Sequence, residues 1–158
     1  MYCSVENEMK STGNKKKPDG RPRKSVYEMI CRSNQKEISR IEKFLRQVSD
    51  RLHIDDGIMY RVLVSCTEAV NNAIVHGNKS DPDKKVIIRC CVEKNTLTVY
   101  VTDEGKGFDS ESLQDPREEK NLMKESGRGI FLMRSLMDQV KFKHLKSGSV
   151  VEMKVKLH

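Results

Sequence analysis

Tryptophan is absent from the 158-residue chain, and Phe and Tyr together supply only 5% of it, so any core must be built from Ile, Leu, Val, Met and Cys. No apolar run approaches the roughly 18 residues needed to cross a bilayer as a helix. The N-terminus is basic but lacks the apolar stretch of a secretory signal. The five cysteines, at positions 3, 31, 66, 90 and 91, include no Cys-x-x-Cys pair. Their number is odd, and Cys66, Cys90 and Cys91 fall inside predicted elements. That pattern speaks for structural thiols in a reducing compartment and against a disulfide or zinc framework. A cytoplasmic protein is expected, with no membrane contact.

Charge is abundant but unevenly placed. Of a net +7, residues 10–24 carry seven bases and one acid, which leaves +1 for the rest. Residues 1–24 are polar, hold Gly13, Pro18, Gly20 and Pro22, and show no periodicity, as in a disordered basic tail. The run Asp19–Lys24 faintly resembles an arm that lies in the minor groove of DNA. Asp19 stands where an Arg belongs, so a solvated tail is the preferred reading and direct nucleic-acid binding is not expected.

Residues 25–158 suit one domain with a sizeable core. Ser25–Cys31 alternates weakly, as an edge strand does. Asn34 offers an N-cap with Glu37 three residues on, and the helix that follows lines up Ile38, Ile41, Leu45, Val48 and Leu52. Asp55 or Asp56 caps a second helix, with Gly77 expected in a left-handed position at its end. Val86–Val92 and Leu97–Asp103 read as strands joined at Lys94-Asn95. In the second of these Leu97, Val99 and Val101 share a face, and the period carries Asp103 to that apolar side. About two dozen residues of glycine and charge follow, Glu104–Gly127, a length typical of a lid or binding loop. Gly129–Met137 returns to helix, and Gln139–Leu145 with Ser149–Leu157 forms a closing hairpin. The order β, α, α, β, β, lid, α, β, β predicts an α+β two-layer sandwich, with helices on one face of a mixed, mostly antiparallel sheet.

The stretch Val62–Gly77 is nearly free of charge, with Glu68 its sole acid. Ser65, Glu68, Asn72 and His76 form one stripe, since residues three and four apart are neighbours on a helix. Short polar groups sunk in an apolar helix need partners, because unpaired burial costs roughly 1–3 kcal/mol each. Those partners can be internal or can belong to a ligand. Two glycine clusters add to this. Gly105 and Gly107 follow Asp103 at a strand exit. Gly127 and Gly129 open a helix, where backbone N–H groups and the helix dipole favour an anion.

Taken together, Glu68-x-x-x-Asn72, Asp103-Glu104-Gly105-Lys106-Gly107-Phe108, a long loop and Gly127-Arg128-Gly129 resemble the Bergerat-fold ATPases of the GHKL superfamily. That superfamily includes DNA gyrase and the histidine kinases. The short length, Glu-Ala-Val-x-Asn-Ala-Ile-x-His-Gly at 68–77 and the run from Gly127 through Leu132-Met133 into Asp138 are most similar to the anti-sigma-factor serine kinases. The likeness spans about residues 26–157.

The resemblance implies roles for named positions. Asn72 would ligate the Mg2+ that bridges the ATP phosphates. Asp103 would accept from the adenine amino group, and Gly105 and Gly107 would let backbone approach base and sugar. Residues 108–126 would be the lid. Ser126, Gly127, Arg128 and Gly129 would cradle phosphates, and Ser149 would stand near the adenine. Glu68 would be the general base for attack of a hydroxyl on the γ-phosphate.

The implied function is an ATP- and Mg2+-dependent serine/threonine protein kinase. It would sequester a sigma factor, phosphorylate an anti-anti-sigma STAS-domain protein and form a homodimer. Glu125 departs from an often basic lid position, and Val150 replaces the second Thr of the last motif. The alternative is a non-catalytic module that uses ATP only to display a binding surface. A sensor histidine kinase is disfavoured, since no dimerising helix with a phospho-accepting His precedes residue 25.

Overall fold

The alternating strands and amphipathic helices read from the sequence assemble in the expected order. The structure, a computed structural model, describes residues 24–105 and 125–157, with side chains omitted at 125 and 126. The tail through residue 23, Gly107 and residues 108–124 of the expected lid lie outside the described residues. Strand β1 (Ser25–Arg32) leads through a short 3-10 turn (Gln35–Glu37) into α1 (Ile38–Leu52). Then come α2 (Asp56–Asn72), a π-helical turn (Ala73–Gly77), β2 (Lys85–Glu93) and β3 (Thr96–Asp103). Helix α3 (Glu125–Leu136) and the hairpin β4 (Gln139–Leu145) and β5 (Gly148–Lys156) complete the chain.

Local chemistry explains the helix starts. Asn34 caps the 3-10 turn by accepting from the Lys36 N–H at 3.0 Å. Of the two candidate caps for α2, Asp55 takes the role, its Oδ1 accepting from the N–H groups of Gly57 (2.9 Å) and Ile58 (3.3 Å). Such caps satisfy donors that the first helical turn leaves without partners, each worth about 1 kcal/mol.

The sheet order is β1-β2-β3-β5-β4, which puts β1 and β4 at its margins. All four pairings are antiparallel. The sheet is thus more uniform than the mixed one expected. The hairpins β2–β3 and β4–β5, the β3–β5 pairing and the β1–β2 pairing, joined through α1 and α2, are all antiparallel, so no strand has a parallel neighbour. Registers Cys31–Val86–Asp103–Ser149 and Tyr27–Cys90–Val99–Met153 align side chains on one face. That face packs against the buried stripes of α1 (Ile41, Leu45, Val48) and α2 (Val62, Cys66, Ala69, Val70). The most extensive helix–helix contact is between α2 and α3.

Cys31, Cys66, Cys90 and Cys91 are free thiols. Burial pushes Cys31 up to about 11 and Cys66 up to about 12, so neither is a thiolate near neutrality. This agrees with a structural role. Among the described residues no helix is long and apolar enough to cross a membrane.

Candidate functional site

The apolar period of β3 does deliver Asp103 to the helix-covered face, where it is 6% exposed. Its Oδ1 accepts two backbone N–H groups, from Gly105 at 2.9 Å and from Ser149 at 3.3 Å. Among the described residues Oδ2 accepts none, so one edge of the carboxylate is anchored and the other is free to meet a donor. Desolvation raises the Asp103 pKa above the ordinary Asp value, while the Gly105 and Ser149 N–H groups oppose the rise. The folded pKa therefore lies above the unfolded one, near 3.9. The folded state binds the proton more tightly, and stability falls as pH rises through that window. Parent minus Asp103→Asn stability, from urea titrations at a series of pH values, should decline from about pH 4 upward.

Gly77 packs against this carboxylate. A Cβ at position 77 would collide with Asp103 Oδ2, and one at Gly105 would collide with the Gly77 carbonyl. Gly77 is not left-handed, contrary to the expectation. The chain keeps winding as a π turn through Gly77, and the left-handed residues are Lys79 (φ 55°) and Ser80 (φ 58°). Position 77 needs glycine for close approach, not for its φ.

At the other end of the site, Glu68 and Asn72 stand one turn apart on α2 and face Gly129, which lies in the second turn of α3, because that helix begins at Glu125 and not at the expected Gly129. A Cβ at Gly129 would lie 2.7 Å from Glu68 Oε2 and 3.7 Å from Asn72 Nδ2. Glu68 is half-buried and has no ion-pair or hydrogen-bond partner among the described residues. Asn72 is 7% exposed, and its Nδ2 is buried with no partner. A half-turn of that amide would put its oxygen in the same place. Gly127 is buried and Arg128 exposed. Ser126 lies in the first turn of α3.

Ser149 joins the Asp103 end. It is 7% exposed, and its Oγ is buried without a partner. Buried polar groups are ordinarily paired, so the orphaned Asn72 Nδ2 on α2 and Ser149 Oγ on β5, with the unpaired Asp103 Oδ2 on β3, are groups a ligand could satisfy. Replacing Ser149 by Ala should therefore leave stability unchanged or raise it by about 1 kcal/mol, since an unpaired hydroxyl is removed. With Ser149 near the adenine, as the sequence resemblance implies, the same change should weaken adenine-nucleotide binding about tenfold, one lost hydrogen bond. Thermal melting and a fluorescent nucleotide titration read the two effects apart.

Asn78 was not anticipated. It is fully buried, donates from Nδ2 to the Lys85 carbonyl at 2.9 Å, and accepts the Glu104 N–H on Oδ1 at 2.8 Å. Its own N–H donates to the Ala73 carbonyl at 2.7 Å. One amide thus ties the π turn to the start of β2 and the exit of β3. Its place directly after His76-Gly77 was the only sequence signal for it.

The profile of the histidine kinase-like ATPase domain family matches residues 31–155. Among curated proteins the chain is 34% identical over 90 residues to the anti-sigma F factor of Anoxybacillus flavithermus, covering 55% of this chain and 62% of that protein. It is 35% identical over 96 residues to the serine-protein kinase RsbW of Bacillus subtilis, covering 57% and 59%. With the anti-sigma F factor of Heyndrickxia coagulans it shares 32% over 119 residues, covering 73% and 78%. The chain thus spans about three fifths of the length of the first two relatives. Among solved structures, the RsbU and RsbW domains of a Mycobacterium tuberculosis protein superpose with a TM-score of 0.62 at 12% identity, over 84% of this chain and 32% of that one. The blue-light activated histidine kinase of Erythrobacter litoralis gives 0.52 at 21% identity, over 66% and 32%. These two likenesses concern the fold alone. With the Asp103 and Glu68–Asn72 ends assembled along α2, its π turn and β3, the chain belongs to the histidine kinase-like ATPase domain family, in the branch of the anti-sigma factors and their serine-protein kinases.

Proposed function

We propose that this chain is a cytoplasmic anti-sigma factor that binds ATP, sequesters a sigma factor and phosphorylates a serine or threonine of a STAS-domain anti-anti-sigma protein. Residues 25–158 would be the ATPase domain and residues 1–24 a basic tail. The observation that carries the reading is Glu68: a half-buried carboxylate, without a described partner, set against Gly129 of α3.

Asp103 would receive the adenine amino group on its free Oδ2, with Ser149 Oγ beside it and Gly105 and Gly107 admitting the base and sugar. Ser126, Gly127, Arg128 and Gly129 would hold the phosphates through backbone N–H groups at the N-terminus of α3. The missing side chain at Gly129 keeps the space between α3 and Glu68 clear. No cluster of three or more His, Cys, Asp or Glu suited to a metal occurs among the described residues. Mg2+ takes few protein ligands and is held mainly by phosphate oxygens and water. Asn72, with its unpaired amide, would be the protein ligand. The metal would neutralise charge on the phosphates.

The partner's hydroxyl gives its proton to Glu68 as its oxygen bonds to the γ-phosphorus. The bond to the β-phosphate bridge breaks and ADP leaves. Positioning and charge neutralisation dominate such transfers, so one base, one metal ligand and a row of N–H donors suffice. The test is incubation of the purified chain with γ-labelled ATP, Mg2+ and a STAS-domain partner. Label on the partner supports the reading, and ATP binding without label rejects it. Homodimerisation belongs to the same proposal, and sedimentation with and without nucleotide addresses it.

A further inference from the structure

Helix α3 carries the N–H groups of the site at one end and is fastened at the other. Arg61, on α2, donates from Nε to the Leu136 carbonyl, the last residue of α3. Its guanidinium also pairs with Asp138 Oδ1 at 2.9 Å. Asp138 is itself fixed to β5: its N–H donates to the Lys154 carbonyl at 2.9 Å, and its Oδ2 accepts the Lys156 N–H at 2.7 Å. These bonds hold the Asp138 carboxyl below the usual Asp range, the Lys156 N–H having the largest effect.

The spacing matters. Arg61, Ser65, Glu68 and Asn72 recur at steps of four, three and four, one stripe of α2. Glu68 meets Gly129 and Arg61 meets Leu136. Both pairs of positions are seven residues apart, so α3 runs antiparallel to α2 and the two contacts lie about 10 Å apart on each helix. Ser65, fully buried between them, has a hydroxyl with no partner among the described residues and so does not tie α2 to α3. Arg61 is therefore the polar tie that fixes how far α3 is slid along α2.

We propose that Arg61 is a positioning residue for phosphoryl transfer: by fastening the C-terminal end of α3, it sets where Gly129 and its N–H donors stand relative to Glu68. The inference rests on the kinase reading above. Misplacement of reacting groups by about 1 Å can cost as much as 100-fold in rate.

The full chain is compared with Arg61→Gln and Arg61→Lys in two measurements. In amide hydrogen exchange without nucleotide, Arg61→Gln should speed exchange at residues 129–133 by about tenfold while the β2 and β3 amides keep their protection. In phosphoryl transfer, Arg61→Gln should lower kcat about tenfold with KM for ATP within about threefold, and Arg61→Lys should recover most of the rate because one acceptor can still be reached. Unchanged exchange at 129–133 overturns the proposal. So does a rate loss that Lys fails to rescue, or one matched by an equal rise in KM. If the unaltered chain transfers no phosphate, the kinase reading fails, and with it the catalytic role of Arg61. The exchange measurement still decides whether Arg61 sets the register of α3.

Discussion

Glu68→Gln is expected to reduce phosphoryl transfer to the STAS partner about 1,000-fold while ATP affinity stays within about threefold. General bases contribute roughly 100- to 10,000-fold, and the environment of this one suggests no substitute. Among the described residues the carboxylate has no cation to neutralise it, and its near neighbours are Gly129 and Asn72, neither of which can take up a proton. Gln keeps the shape and the half-buried volume, so the packing of α2 against α3 is preserved. Single-turnover transfer and an equilibrium nucleotide titration on the same preparation separate chemistry from binding. Retained sigma-factor binding with lost transfer is the expected pattern. Full regulatory activity in Glu68→Gln would instead favour the ATP-gated binding module, in which phosphoryl transfer plays no part.

Gly105→Ala should cost the fold about 3 kcal/mol or more. The new methyl would be driven into the Gly77 carbonyl, backbone against backbone, with no rotamer to turn away. The chain cannot lift either, because the Gly105 N–H is bonded to Asp103 Oδ1 at 2.9 Å. Lifting would leave a buried carboxylate short of a donor. Urea unfolding should show a lowered midpoint at unchanged slope. Gly129→Ala makes the control. Its methyl would meet the flexible end of Glu68 at 2.7 Å, which can swing aside, so stability should change by less than about 1 kcal/mol while transfer falls with the displaced carboxylate. A chain in which Gly105→Ala and Gly129→Ala melt alike would refute the close approach of Gly77 and Gly105.

Much of this architecture was readable from residue order because two periods dominate it. Strict alternation in Leu97, Val99 and Val101 placed Asp103 on the buried face two steps further on, and the structure puts it there. The 3- and 4-residue steps from Ser65 to Asn72 placed Glu68 and Asn72 on one stripe, and both face Gly129 of α3. What the residues did not disclose depends on contacts distant in the chain. The π turn after Asn72 forms where Gly77 must reach Asp103, 26 positions later, and a helical pattern carries no mark of that demand. Asn78 gave no sign of its role because its Oδ1 accepts from Glu104, 26 positions later. Nothing in the residue order marked Arg61, since its acceptors at Leu136 and Asp138 lie 75 and 77 residues away.

The sheet margin at β4 has a bearing on how the protein behaves in concentrated solution. A terminal strand offers a row of spare N–H and C=O groups onto which another copy could zip. Here that strand reads Gln139–Leu145 with Lys141, Lys143 and His144 exposed, and Lys146 follows in the turn. Lys143 is paired with Glu152 on β5 at 2.8 Å, so two such margins brought side by side would set chiefly Lys141 and Lys146 of one copy against those of the other. The deterrent is electrostatic and therefore conditional: at 1 M salt, where fields die away within about 3 Å, it fades, and strand-to-strand growth meets less resistance.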